Sequence, residues 1–205
     1  MKTFLSDPTF LSLLLKTKEQ FDRRFDKIFY ELENLKLEKY YICETGCIRS
    51  LSQFDWQGNF TILCNNFLEF YDGMIYTCNI DENAIELCKN LSKTKASLMD
   101  SIIFLNTLKE INDINLFYLD SLDIDIHNPT PSMDHHYLEF ITLIKNRCHG
   151  NFYLVIDDNI SGSIQKGYFI NKLMRELNIK SIFDAYQTMY WINQDNFNLI
   201  KSIYV

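Results

Sequence analysis

The segments NLFYLDSLD (residues 115–123) and NFYLVIDDN (residues 151–159) decide the fold class of this 205-residue chain. Each is a near-continuous apolar run that stops at aspartate, the first at Asp120 and the second at Asp157 and Asp158. Apolar runs without polar alternation are typical of strands that are buried on both faces. We therefore expect the two segments to be neighbouring strands of a mostly parallel sheet.

The rest of the chain alternates between strand-like and helix-like patterns. Apolar periodicity predicts strands near residues 40–45, 74–80, 114–120 and 152–157. It predicts helices over residues 84–91, 102–111, 133–147 and 164–177. This alternation predicts an α/β fold with a doubly wound, mostly parallel sheet.

The two ends of the chain depart from the alternation. Residues 8–37 have a helical pattern, and we expect this extra N-terminal helix to pack outside the first β/α unit. Residues 179–205 hold two or three strand-like segments with no strong helix between them, which suggests a C-terminal antiparallel hairpin. With no linker-like stretch, the sequence predicts a single domain, 1–205, with an N-terminal helical segment (1–37) and a Rossmann-like core (38–205).

Composition and charge exclude several classes of protein. The sequence is 47% hydrophobic and 23% charged, which is typical of a globular protein. Its net charge is −7, and its richest basic stretch, residues 16–27, is interleaved with acidic side chains. We therefore expect no nucleic-acid partner. No run of about 18 apolar residues could span a bilayer, and no signal peptide is recognised, so we expect no membrane partner.

The six cysteines lack the spacing of a zinc site. Most of them lie inside apolar runs, as reduced core cysteines do. This favours a reducing compartment, and we expect a cytoplasmic protein.

Polar residues after the predicted strands are the candidate ligand-binding residues, because doubly wound sheets bind ligands beyond the carboxyl ends of their strands. Gly46, in CETGCIRS (residues 43–50), permits a sharp turn and the close approach of a ligand. Asn79 and Asp81 follow the second strand, where an acceptor group can bind ribose hydroxyls. Asp100, in LMDSIIFL (residues 98–105), can accept from an adenine amino group. A helix cap is a compatible interpretation of Asp81 and an equally good one of Asp100.

The strongest local signal is the set Asp120, Asp157 and Asp158. Carboxylates at neighbouring strand ends repel one another unless a cation neutralises them. Hard oxygen ligands suit Mg²⁺, Mn²⁺ or Ca²⁺. Each aspartate alone could be a cap or turn former, but the three together favour a divalent-metal site, most simply for Mg²⁺.

Two histidines, His135 and His136, open the helix that follows a proline-bearing loop. Histidine is the usual general base near neutral pH, and adjacent helix positions point in different directions, so at most one of the two faces the site. The alternative is a solvent-facing or capping pair. Four residues near the C-terminus either wall an acceptor pocket or pack the sheet: Tyr186, Gln187, Tyr190 and Trp191.

The order of these motifs resembles class I S-adenosylmethionine-dependent methyltransferases over residues 38–193. CETG (43–46) resembles the first motif of that family, MIYTCNIDENAIELCKNL (74–91) its second strand and helix, and LMDSIIFL its adenine-side segment. The resemblance implies that Glu44 and Gly46 lie near the methionine and ribose portions of the cofactor, Asn79 at the ribose, and Asp100 with Ser101 near the adenine. The predicted cofactor-binding set also includes Thr45 and Asp81. Asn79 departs from the family, which usually has an acid there.

Within this class, NLFYLDSLD and NFYLVIDDN resemble the fourth and fifth strands of metal-dependent small-molecule O-methyltransferases, which include catechol and sugar O-methyltransferases. Their pattern is an Asp after the fourth strand and an acidic pair or Asp-Asn after the fifth, which Asp120, Asp157 and Asp158 match. In the sugar enzymes a base lies two or three positions beyond the first metal-binding Asp, and Asp123 occupies the later of these. The segment HHxxEF (135–140) is similar to relatives among polysaccharide-assembly enzymes.

The sequence therefore predicts an O-methyltransferase that depends on S-adenosylmethionine and a divalent cation, with Mg²⁺ as the favoured ion, and acts on a hydroxyl of a small molecule, a sugar or glycan. Two neighbouring acceptor oxygens would chelate the cation, which would lower the pKa of the hydroxyl. Asp123, His135 or His136 would then take the proton. Two alternatives remain open. One is a phenol or catechol acceptor, and the other is a catalytically inactive methyltransferase fold that serves as a binding module.

Overall fold

A seven-stranded sheet lies at the centre of the protein in the computed structural model, which describes residues 4–8, 10–12, 14, 23–50, 59–161 and 164–204. The strands of this sheet are β1 (Tyr40–Thr45), β2 (Gly73–Asn79), β3 (Thr94–Leu98), β4 (Leu116–Leu119), β5 (Phe152–Ile156), β8 (Ser181–Asp184) and β9 (Thr188–Ile192). A separate two-stranded hairpin consists of β6 (Asn159–Ser161) and β7 (Ile164–Gln165).

The strand order of the sheet is β3-β2-β1-β4-β5-β9-β8. The first five strands are parallel, and β9 runs antiparallel to both β5 and β8. All residues of β4 and β5 are buried, as their near-continuous apolar runs predict. The mostly parallel sheet with a C-terminal antiparallel hairpin is confirmed. The order reverses between β1 and β4, and ligands of doubly wound sheets bind at such a switch point.

Helices cover both faces of the sheet. They are α1 (Phe25–Asn34), α2 (Asn59–Phe70), α3 (Glu82–Cys88), α4 (Ser101–Thr107), α5 (Thr130–Asn146), α6 (Tyr168–Glu176) and α7 (Gln194–Tyr204). One buried cluster joins the sheet to α4, α5, α6 and α7, and a second joins it to α1 and α2. This two-sided burial explains why the central strands carry almost no polar residue.

The N-terminal helix packs outside the first β/α unit, as predicted. The ring centroids of Phe25 and Phe60 lie 5.9 Å apart, and those of Phe29 and Phe67 lie 5.2 Å apart, so α1 packs on α2. The predicted helical stretch 8–37 is only partly described, because residues 9, 13 and 15–22 lie outside the described residues, and within 23–37 the helix is shorter than predicted and spans Phe25–Asn34.

Two predictions about secondary structure were wrong. The helix predicted over residues 164–177 begins at Tyr168, because Ile164–Gln165 pair as β7 with β6. The C-terminal region, expected to hold two or three strand-like segments with no strong helix between them, contains β8 and β9 but then ends in α7. Phe197 and Ile200 are three positions apart and both buried, so the β-branched and aromatic residues that suggested strands instead form the apolar face of a helix.

The six cysteines are free, and all except Cys148 are buried. Among the described residues, no helix combines the length and the apolar character that crossing a membrane requires.

Candidate active site

A cleft opens at the carboxyl ends of β1, β2 and β4. Its cavity volume is about 100 Å³. The residues that line it are Gly46, Cys78, Asn79, Ile80, Met99, Asp100, Ser101, Ser121, Leu122 and His135. Four of the seven predicted cofactor-binding residues therefore come together here, namely Gly46, Asn79, Asp100 and Ser101.

The end of β1 requires glycine at position 46. Gly46 has a φ of +85°, a conformation that side chains rarely adopt. A Cβ at this position would lie 2.4 Å from the backbone oxygen of Asp120, too close for any other residue. The turn thus brings the ends of β1 and β4 into backbone contact and leaves the cleft open beside them.

Asn79 and Asp81 shape the second strand end. The Asn79 side-chain oxygen accepts a hydrogen bond from the Asp81 amide at 3.0 Å, and Asp81 caps α3 by accepting from the Asn83 amide at 2.9 Å. Asp81 is exposed and does not line the cleft, so its capping role is the one that the structure shows. Between the two, Ile80 lies at the cleft with 78% of its surface exposed.

The third strand end leads into α4. Asp100 caps this helix, and its Oδ1 accepts from the amides of Ile102 and Ile103 at 2.9 and 3.2 Å. Ser101 Oγ lies 2.9 Å from His135 Nε2, so α4 and α5 are joined by a hydrogen bond at the cleft wall. His135, predicted as a base, thus lies on the cleft wall with Ser101.

Glu44 and Thr45 lie beneath the cleft rather than in it. Glu44 is buried and accepts hydrogen bonds from Thr61 at 2.7 Å and Thr77 at 3.3 Å, and burial raises the pKa of its carboxyl well above the usual range. Thr45 is also buried, and both its backbone oxygen and its hydroxyl accept from the Asp120 amide. These two residues therefore fasten β1 to its neighbours and support the turn at Gly46.

The lining of the cleft has the kinds of groups that S-adenosylmethionine would need. The turn at Gly46 packs the end of β1 against the Asp120 backbone at the cleft edge, and polar strand ends at Asn79 and Asp100 border an exposed apolar surface at Ile80. A small-molecule site typically combines apolar lining with a few polar groups of this kind. Sequence reasoning missed Ile80, although an isoleucine between two polar strand-end residues is itself a signal.

The predicted metal-binding residues also come together, but around cations of the chain itself. We call Asp120, Asp157 and Asp158 the acidic cluster. Lys166 Nζ lies 2.6 Å from Asp120 Oδ1 and 2.9 Å from Asp158 Oδ2, and the lysine side chain is fully buried. Arg23 binds Asp157 Oδ2 at 3.2 Å and lies 3.8 Å from Asp158 Oδ1. Neither cation was predicted as part of the site.

The cluster is electrostatically uneven. Burial, together with repulsion from Asp157 and Asp158, raises the pKa of Asp120 to about 7. Burial also raises the pKa of Asp157. For Asp158 burial acts in the same direction, but its contacts with Lys166 outweigh it and lower the pKa.

A divalent cation does not fit the cluster while Lys166 holds this position. The ammonium lies between the carboxylates of β4 and β5, where the predicted ion would bind. Among the described residues, no group of three His, Cys, Asp or Glu side chains is arranged to hold a metal ion. The predicted Mg²⁺ site is therefore not confirmed.

Asp123, the first predicted base, is held by Arg49. The guanidinium binds both carboxylate oxygens at 2.6 and 2.8 Å, and these bonds lower the pKa of Asp123. The Asp123 side chain remains 63% exposed. It follows Leu122, which lines the cleft, so Asp123 stands near the cleft mouth.

His136, the third predicted base, is not placed to act as one. Its side chain is fully buried, and Nδ1 donates to the Ser132 backbone oxygen at 2.7 Å. Burial lowers the pKa of His136 well below the usual range. The buried Glu139 lies below, 3.7 Å from His135 Nε2 and 3.9 Å from His136 Nε2. His136 thus belongs to the buried interior of α5.

Of the four C-terminal residues, three pack the sheet. Gln187 is buried and donates to the Tyr118 hydroxyl at 2.6 Å, Tyr190 donates to Asn171 at 2.9 Å, and Trp191 packs on the Tyr153 ring at 4.7 Å. Tyr186 differs, because the Arg23 guanidinium lies over its ring at 5.3 Å, beside the acidic cluster.

No protein-family model matches the sequence, and no curated protein matches it significantly. The fold is similar to solved structures. MycE from the mycinamycin biosynthetic pathway, in complex with Mg and SAH, has a TM-score of 0.64 at 15% identity, covering 96% of this chain and 56% of that chain. Its complex with Mg, SAH and mycinamycin VI has a TM-score of 0.60 at 15% identity, covering 93% and 56%.

SMU.1697c from Streptococcus mutans, named as a methyltransferase and solved with SAH, has a TM-score of 0.52 at 13% identity, covering 83% of this chain and 98% of that chain. The chain thus spans little more than half the length of MycE and nearly all of SMU.1697c. At these identities the likeness establishes architecture, and that architecture agrees with the strand order and the cleft described above. This chain has the Rossmann-like fold of class I S-adenosylmethionine-dependent methyltransferases.

Proposed function

We propose that this protein is an S-adenosylmethionine-dependent methyltransferase that methylates a hydroxyl of a small polar acceptor, a sugar or glycan. The observation that carries the proposal is the cleft at the switch point between β1 and β4. Its lining combines the turn at Gly46, the polar end of β2 at Asn79 and the exposed Ile80. In a methyltransferase fold this is the place for a nucleoside-bearing cofactor.

Each lining residue has a task in this proposal. Gly46 lets the cofactor approach the backbone, Asn79 binds the ribose hydroxyls, and Ile80 packs on the adenine. Asp100 and Ser101 border the adenine edge. Bound S-adenosylmethionine supplies a methyl group on a sulfonium, a donor that is already reactive. The chain therefore has chiefly to position the acceptor oxygen in line with the methyl group.

The acidic cluster supports a polyhydroxylated acceptor. Asp120 directly precedes Ser121 and Leu122, which line the cleft, so the cluster adjoins the cofactor site. Asp120 and Asp158 are partly exposed, and carboxylate oxygens accept hydrogen bonds from hydroxyl groups. The MycE complex that holds SAH and mycinamycin VI together supports a small-molecule acceptor by analogy. No step of the proposal uses a metal ion, because Lys166 holds the position where one would bind.

Asp123 receives the acceptor proton in this proposal. The acceptor oxygen would take the methyl group that bound S-adenosylmethionine supplies, the cofactor would be left as its thioether, and the hydroxyl proton would pass to the Asp123 carboxylate. We favour Asp123 for its accessibility: although Arg49 binds both its oxygens, the side chain is 63% exposed at the cleft mouth, whereas His135 Nε2 is bound to Ser101 at the cleft wall.

Calorimetric titration with S-adenosylhomocysteine tests the cofactor site, and transfer of labelled methyl groups tests the acceptor. We expect one bound molecule per chain and labelling of saccharides in preference to catechols. Labelling of catechols alone would replace the sugar acceptor by a phenol. Cofactor binding with no transfer to any hydroxyl compound would favour a binding module, and no binding at millimolar ligand would refute the proposal.

The variant Asp123→Asn tests the base. Because the amide cannot take a proton, we expect kcat to fall about 100-fold or more while the affinity for S-adenosylhomocysteine is unchanged. Asp125→Asn is a matched control, since Asp125 only accepts a local hydrogen bond from the His127 amide. An unchanged kcat in Asp123→Asn would transfer the role to another group.

A further inference from the structure

We propose that Lys166 is the built-in cation of the acidic cluster and makes the acceptor side of the site independent of a divalent metal ion. This inference rests on the proposed function, because the cluster is an acceptor site only if the cofactor binds in the adjoining cleft. It departs from the sequence prediction of a Mg²⁺ site at the same residues.

The first support is the position of the charge. Lys166 Nζ bridges Asp120 at the end of β4 and Asp158 after the end of β5, at 2.6 and 2.9 Å. A divalent ion would have to join the same two strand ends. Ammonium and metal ion would compete for the same oxygens, and their like charges exclude both from binding there together.

The second support is the way in which the backbone fixes the lysine. The hairpin of β6 and β7 returns the chain to the end of β5, and the Lys166 amide donates to the Asp158 oxygen at 3.3 Å. Asn159 accepts from the Gly167 amide at 3.1 Å and donates to Thr188 at 2.6 Å. The segment that carries Lys166 is therefore tied to both the end of β5 and β9, which fixes the backbone from which the ammonium reaches the two carboxylates.

The third support is the charge balance. Arg23 binds Asp157, so two cations of the chain face the three carboxylates. Only one formal negative charge remains uncompensated. This single net negative charge attracts a divalent ion only weakly, because such an ion normally binds several carboxylates.

Lys166 acts as a positioning residue in this arrangement. Its side chain is fully buried, whereas those of Asp120 and Asp158 are 23% and 17% exposed. By binding one oxygen of each carboxylate, Lys166 fixes the orientation in which the rest of the carboxylate meets an acceptor hydroxyl. It also keeps the two strand ends from repelling each other.

Calorimetric titration with Mn²⁺ tests the proposal without an acceptor. We expect no binding by the wild-type protein at millimolar Mn²⁺. In Lys166→Met the carboxylates lose their bridging cation, and we expect one Mn²⁺ to bind at least about tenfold more tightly than to the wild type. Lys166→Arg retains the charge and should behave like the wild type, and the double variant Lys166→Met, Asp120→Asn should lose the gained affinity.

Two results would overturn the proposal: micromolar Mn²⁺ binding by the wild type that Asp120→Asn abolishes, or identical, weak Mn²⁺ binding by the wild type and a folded Lys166→Met. If Lys166→Met does not fold, the wild-type titration decides alone. A parallel titration with S-adenosylhomocysteine separates the two levels. Cofactor binding together with micromolar Mn²⁺ binding refutes the role of Lys166 and spares the methyltransferase, whereas absence of cofactor binding refutes the methyltransferase.

Discussion

The cofactor cleft and the acidic cluster adjoin at one edge of the sheet, but they are built in opposite ways. The cleft is shaped mainly by backbone: a left-handed glycine at position 46 and helix caps at Asp81 and Asp100. The acidic cluster is shaped by side chains from distant parts of the chain, with Lys166 and Arg23 reaching three aspartates. Local sequence can therefore specify the cleft. The acidic cluster is completed only in the folded chain, by side chains that are distant in sequence.

The largest effect is expected from Gly46→Ala, which disturbs the backbone turn that shapes the cleft. The new Cβ would lie 2.4 Å from the Asp120 oxygen at a φ of +85°, so the turn has to move. We expect loss of S-adenosylhomocysteine binding in calorimetry and a decrease of about 2–4 kcal/mol in the free energy of unfolding.

Gly167→Ala is the matched control for this variant. Gly167 has a φ of −81°, and a Cβ at this position would lie 3.0 Å from the Asn159 side chain. The substitution therefore strains the hairpin beside the acidic cluster and not the cleft. Cofactor affinity should survive in it. Equal loss of cofactor binding in both variants would contradict the structural independence of the cleft from the acidic cluster.

An intermediate effect is expected from Lys166→Met, which removes the cation that bridges two carboxylates of the acidic cluster. Removal of one partner from a buried ion pair leaves uncompensated charges, and we expect the free energy of unfolding in urea to fall by about 3 kcal/mol. Cofactor affinity should stay within about twofold, because Lys166 binds Asp120 and Asp158, neither of which lines the cleft. Lys89→Met removes an exposed pair with Glu86 and should change stability by less than about 1 kcal/mol.

The smallest effect is expected from substitutions of Asn79, which lines the cleft. Asn79 supplies a neutral group where related enzymes usually have an acid. Asn79→Asp should strengthen S-adenosylhomocysteine binding up to about tenfold, because a charged acceptor binds hydroxyl groups more strongly. Asn79→Ala should weaken it by about tenfold. If neither change alters the affinity measured by calorimetry, the ribose does not lie at Asn79.

The predictable part of the fold follows from burial. Strands β1, β2, β4 and β5 are apolar runs that end at polar residues, and the helices between them account for their parallel direction. The region between residues 47 and 73 carries no predicted element, and α2 lies there. α7 escaped prediction because its aromatic and β-branched residues favour strands locally, and only packing against the sheet makes them a helix.

The site divides in the same way. Gly46, Asn79, Asp100 and Ser101 could be found from their positions after strands, and the cleft brings them together. Lys166 could not, because it lies in a stretch whose apolar spacing predicts a helix and whose true hairpin depends on pairing with β6. The sequence shows that the three aspartates need a cation, but it does not show which cation the fold supplies.

The hairpin of β6 and β7 has a consequence for how such a protein can change. Residues 159–161 and 164–167 lie between β5 and α6, and Lys166 among them binds the acidic cluster, while none of these described residues lines the cleft. A replacement of this one short segment would exchange the cation of the acceptor side while the donor side is inherited intact. The hairpin therefore separates two properties of the protein: its sequence sets the cation that binds the acidic cluster, and the cleft can stay as it is.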